Sequence, residues 1–127
     1  MKKALPTLLI GVAAVTLLDS LGAIASRQMN FNYSYLSLIS FIIYVSIAFV
    51  IAKRTDKKTA IISAGLLGLY DATVGWKLSM LLQANTGSMT VEITPTVLIT
   101  TAIFMTLFAA LLGLLGWWLS TKFSQTK

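Results

Sequence analysis

The chain has 127 residues and a formal net charge of +6, with 57% hydrophobic residues, 11% charged residues and a mean hydropathy of +0.84. A charged share below half of the roughly 25% usual for soluble domains excludes a soluble enzyme, a dinucleotide-binding module and a nucleic-acid domain. The absence of Cys and His excludes disulfides, thiolate nucleophiles, imidazole acid–base chemistry and Cys/His metal sites, and no metal or cofactor is expected.

Four apolar runs follow one another, at about residues 5–26, 33–52, 59–83 and 95–119. Each is near the roughly 20 residues that cross a bilayer, and a backbone in lipid must satisfy its own hydrogen bonds, so each reads as a helix. Together they predict an all-α, integral membrane four-helix bundle, a single transmembrane domain over residues 1–127 with the lipid bilayer as its solvent.

The first run follows Lys2 and Lys3, holds Pro6 in its first turn and carries Asp19 along its length. Its basic start and Ala23-Ile24-Ala25 also imitate a cleavable leader over residues 1–25, but the long apolar stretch and Asp19 favour a retained span. The second run presents Ser37, Ser40 and Tyr44 as a polar stripe, then passes into Lys53, Arg54, Lys57 and Lys58. In the third, Gly68, Asp71, Ala72 and Gly75 fall at i, i+3, i+4 and i+7, a seam of small residues that lets another helix approach. Thr16, Asp19, Gly22, Ala23 and Ser26 form a similar seam on the first. A longer connection, residues 84–94, leads to Thr94-Pro95, which reads as a helix cap followed by proline at the first helical position. The fourth run holds Ala109, Gly113, Gly116 and Trp117 as a packing seam.

Eight of the ten basic residues fall before the first run, between the second and third, or after the fourth. The positive-inside rule then predicts a multi-pass protein of the cell (inner) membrane with both termini cytoplasmic. Trp117, Trp118 and Phe123 suit the inner interface, and the aromatic run Phe31, Tyr33 and Tyr35 with Arg27, Trp76 and Lys77 suits the outer one.

A shift of 52 positions lays the first run on the third: Thr7 meets Thr59, Ile10 meets Ile62, Leu17 meets Leu69 and Asp19 meets Asp71. This pattern predicts two parallel-repeat helical hairpins. An ionised aspartate near the bilayer centre costs about 3 kcal/mol or more, so Asp19 and Asp71 require a proton, a partner or water. Thr16, Asp19, Ser40, Tyr44 and Asp71 are expected to form one buried polar cluster, able to handle a proton or cation or else to serve as hydrogen-bonded glue between helices.

At Asp19, Ser26-Arg27, Phe31-Asn32-Tyr33, Ile43-Tyr44 and the run from Asp71 to Trp76, the chain resembles uncharacterised small four-span bacterial membrane proteins. The resemblance covers the first three runs, fades in the fourth, and implies no activity, substrate or cofactor.

Two functions remain open from the sequence. One is an oligomeric proton- or cation-linked transporter or channel built on the aspartate pair. The other is a non-catalytic membrane subunit or assembly factor that binds a membrane-protein partner through its helix faces. No catalytic residue is assigned. An intramembrane aspartyl hydrolase would need two aspartates, but Leu18-Asp19-Ser20 and Tyr70-Asp71-Ala72 match no complete protease motif.

Overall fold

The computed structural model describes residues 1–87 and 92–125; positions 88–91 of the longer connection and 126–127 lie outside them. The described residues are helical with no strand. Helix α1 runs Leu5–Gln28 with proline in its first turn. A 3-10 turn, Tyr33–Leu36, leads into α2, Ser37–Arg54. Helix α3, Lys57–Tyr70, continues through a π-helical turn, Asp71–Gly75, into α4, Trp76–Leu81, and α5 spans Pro95–Ser124. Three stretches, Leu5–Gln28, Tyr33–Arg54 and Pro95–Ser124, are long and apolar enough to cross a membrane. The third run, expected as one regular helix over 59–83, is helical from 57 to 81 but changes winding at Asp71.

Local chemistry sets the boundaries. Asp56 caps α3 by accepting from Thr59 N at 3.1 Å and from Thr59 Oγ1 at 2.6 Å. Thr94 caps α5 through Val97 N at 3.2 Å, and Pro95 occupies the first turn, as its sequence predicts. Helices α1 and α4 stop in the same way. Asn30 (φ 55°) and Gln83 (φ 57°) adopt left-handed backbone, and the amides of Phe31 and Ala84 return to the carbonyls of Ser26 and Ser79 at 3.1 and 2.9 Å. These two ends are stitched together. Asn85 N donates to Ser26 Oγ at 3.0 Å, Tyr33 N donates to Asn85 O at 2.7 Å, and Arg27 reaches Gln83 Oε1 at 3.3 Å.

Small residues bring the axes close. A Cβ at Gly68 would strike Ala109 and lie 2.7 Å from Met105 O, and one at Gly113 would lie 2.7 Å from Ala64 Cβ, so α3 and α5 meet nearly backbone to backbone. Gly116 does the same for α2, where a Cβ would come within 2.8 Å of Ala48 Cβ. On α1, Gly11 faces Ile47 and Leu67. Val15, Tyr44, Ala48, Ile51, Ala64, Leu67 and Ala109 are fully buried in the resulting core. Among the described residues α1 lies against α2, α3, the π turn and α4, whereas α5 lies against α2, α3 and the π turn. The π turn thus touches both outer elements.

Basic residues at the opposite end sit on aromatic faces. Lys57 Nζ is 4.4 Å from the Trp117 ring centroid, Lys122 Nζ is 5.7 Å from that of Trp118 and Lys53 Nζ is 4.6 Å from that of Phe49. Trp117 is half-buried and Trp118 exposed, a pattern that suits amphipathic rings at a polar boundary.

Candidate functional site

Asp19 and Asp71 meet. Asp19 lies mid-way along α1 and is 2% exposed, and Asp71 opens the π turn. Their carboxyls are within hydrogen-bonding reach of each other. The place where they meet is made by Gly75, at which a Cβ would collide with Asp19 Oδ2 and lie 2.8 Å from Asp71 Oδ1. The absence of a side chain there is a steric condition of the pair.

Each aspartate receives a tyrosine on its other oxygen. Tyr33 Oη donates to Asp19 Oδ1 at 2.6 Å, and Tyr44 Oη donates to Asp71 Oδ2. Ser40 faces Asp71 from α2, one turn before Tyr44. Ser79 approaches the Tyr33 hydroxyl from α4 while bonding its own helix at Trp76 O, 2.8 Å. Asp19 Oδ2 accepts no hydrogen bond from any hydroxyl or amide and is shut from solvent. Its polar neighbour is the other carboxyl. Two carboxylates at such range repel, and a proton between them turns the same contact into a strong O–H···O bond.

Of the expected cluster, Asp19, Asp71, Ser40 and Tyr44 come together and Thr16 does not join them. Thr16 Oγ1 instead pairs with Tyr70 Oη at 2.7 Å and donates to Val12 O at 2.8 Å, tying α1 to α3 one turn away. The sequence reading missed Tyr33, a member of an aromatic run that resembled an interface anchor. Its placement depends on Gly22: a Cβ there would strike Leu36 and approach Tyr33 Cε2 to 3.4 Å, so the bare backbone lets the 3-10 turn fold down onto α1. Gly22 lies three residues after Asp19, on the same helix face.

The pair forms the base of a cavity of about 730 Å³ that opens at the end bearing the connections after α1 and α4. Its walls include Tyr33, Phe41, Trp76, Met80 and Met105, with Ser34, Ser37 and Gln83 toward the mouth. Trp76, expected as an interface anchor, is half-buried in this wall, while its neighbour Lys77 and also Arg27 are exposed. Ala72 is buried and lines the same cavity. Among the described residues no group of three or more His, Cys, Asp or Glu stands ready to hold a metal ion.

No protein-family model, curated protein or solved structure matches this chain.

Proposed function

We propose that the chain is a four-span bundle of the cell membrane, with both termini and the basic 53–58 segment cytoplasmic, that moves protons or a cation by way of the Asp19–Asp71 pair. The observation that carries this reading is Asp19 Oδ2: a buried carboxyl oxygen with no hydroxyl or amide donor, facing a second carboxyl at the base of an open cavity. With one proton shared, the pair keeps one negative charge, held by the Tyr33 and Tyr44 hydroxyls. Such a charge away from water is costly and is offset by a second proton or by a cation entering the cavity. Exchange between those two states is the elementary step of coupled transport. The chain is small, and two or more copies would help enclose a path.

Packing glue alone accounts less well for the arrangement. Hydrogen-bonded glue needs no opening to water, whereas this pair lines an open cavity. Hydrolysis would require a water between the two carboxyls, and Asp19 Oδ2 is instead closed in against Gly75. Internal duplication also fits. The offset of 52 that aligns Asp19 with Asp71 becomes 53 for Gly22 with Gly75 and Ser26 with Ser79, and the π turn at 71–75 is where one extra residue is absorbed.

The test is flux in proteoliposomes under an imposed pH gradient, with Na⁺ or K⁺ on the opposite side. Wild type is expected to dissipate the gradient, and Asp19→Asn and Asp71→Asn proteins that remain folded are expected to lose that activity. Flux unchanged in both variants would remove the pair from the mechanism.

A further inference from the structure

The cavity is far larger than a proton or a bare inorganic ion requires. Its volume of about 730 Å³ falls within the roughly 300–1,000 Å³ of pockets that enclose small organic ligands. Its exposed wall area is mostly apolar, with the rings of Tyr33, Phe41 and Trp76 and the flexible side chains of Met80 and Met105 among the lining. Polarity comes from serine and threonine hydroxyls, the Gln83 amide and the carboxyl pair at the base. No Lys or Arg is among its described lining residues. The titratable groups that meet at the base are Asp19 from α1, Tyr33 from the 3-10 turn, Tyr44 from α2 and Asp71 from the π turn, and α5 contributes only Thr101 and Met105.

We infer that this cavity binds a monovalent organic cation, an ammonium group carried on an apolar body, with the charged end over the Asp19–Asp71 pair and the body between the aromatic walls. The inference rests on the cation-linked reading above and names its substrate class. A compact, strongly hydrated metal ion would leave the aromatic walls unused and would find too few oxygens to replace its water. An organic cation is weakly hydrated, gains cation–π attraction from Trp76 and Tyr33, and buries its apolar surface at the same time. A neutral apolar molecule would fill the walls but make no use of the charge at the base, which a second proton would have to offset. Charge balance makes the cation and the second proton alternatives: as the cation enters, one proton leaves the pair for water, and as it departs, one returns.

The experiment is equilibrium binding of radiolabelled benzyltrimethylammonium to the full-length protein in phosphatidylcholine nanodiscs, with its uncharged isostere neopentylbenzene as competitor. Saturable binding is expected, weakening as pH falls, with neopentylbenzene competing poorly. Asp71→Asn is expected to weaken binding by on the order of tenfold or more, and Trp76→Leu, which leaves the carboxyls intact, by about three- to tenfold. Equal competition by neopentylbenzene, or binding unaffected by both substitutions, would overturn the inference in favour of an apolar cavity that takes lipid chains. If benzyltrimethylammonium fails to bind while the same preparation exchanges protons for Na⁺ or K⁺ in an aspartate-dependent way, the organic-cation assignment falls and the transport reading stands. If neither occurs, both fall.

Discussion

Tyr33 Oη donates to Asp19 Oδ1 across 2.6 Å, joining the turn that opens the second membrane-length stretch to the middle of the first. The bond runs from a residue placed by the Asn32 cap, whose side chain accepts from Ser34 N at 2.9 Å, to a carboxyl that has no other hydroxyl or amide donor. Removing the hydroxyl in Tyr33→Phe leaves the ring on Gly22 and strips the carboxyl of that donor. A loss of about 1.5–3 kcal/mol is expected, the range for a hydrogen bond to a charged group. Thermal unfolding in nanodiscs checks the magnitude, and the carboxyl stretch in infrared difference spectra against Asp19→Asn checks that Asp19 is the group affected. An unchanged carboxyl band would refute the contact.

Gly75→Ala puts a methyl group where the two carboxyls meet, striking Asp19 Oδ2 and lying 2.8 Å from Asp71 Oδ1. One carboxyl must turn away. The expected cost is about 1–3 kcal/mol, as for other overpacked sites, together with splitting of the paired carboxyl signal into two independent ones. Alanine is the better helix former, so a variant as stable as wild type with an intact paired signal would contradict the geometry.

Gly68→Ala tests the approach of α3 to α5 one turn before Asp71. Its Cβ would collide with Ala109 and sit 2.7 Å from Met105 O, a backbone atom that cannot rotate aside. Thermal stability should fall by about 1–3 kcal/mol. The double variant Gly68→Ala with Ala109→Gly should recover part of the loss, because it returns the space to the same contact.

At the opposite end, Asp56 caps α3, and its two hydrogen bonds from Thr59 hold its carboxyl below the ordinary value of 3.8. The folded value is the lower one, so the stabilisation is fully present above the unfolded value and is lost as pH falls below it. Asp56→Asn keeps an acceptor for Thr59 N without the titration. Between pH about 6 and about 3 the wild type should therefore lose more stability than Asp56→Asn, as read from thermal midpoints. Parallel curves would show that the cap does not sense pH.

Much of the fold is legible along the chain. Apolar runs of the right length, Thr94-Pro95 and the charged connection at 53–58 locate helices and breaks, because hydropathy and capping depend on residues close in sequence. The periodic placement of Asp19 and Asp71 beside small residues also marks them as protein-facing. Periodicity reaches its limit at the π turn. It treats residues 59–83 as one regular helix, whereas the winding changes at 71–75, the turn that ends at Gly75 beside the two carboxyls.

Thr16 and Tyr33 mark the same boundary in opposite ways. Thr16 shares the Asp19 face by spacing, yet the approach of α3 hands it to Tyr70. Tyr33 has the pattern of an interface aromatic, yet the bare backbone at Gly22 lets its turn descend until the hydroxyl reaches Asp19. Which segments are helical, where they stop and that two acids lie within apolar runs can be read along the chain, since those are sums over neighbouring residues. That the acids face each other, which tyrosines hold them and that a cavity opens above them follow from packing between helices. Those outcomes depend on how far helix axes approach and how each helix is rotated, quantities set by contacts between residues 14 to 54 positions apart.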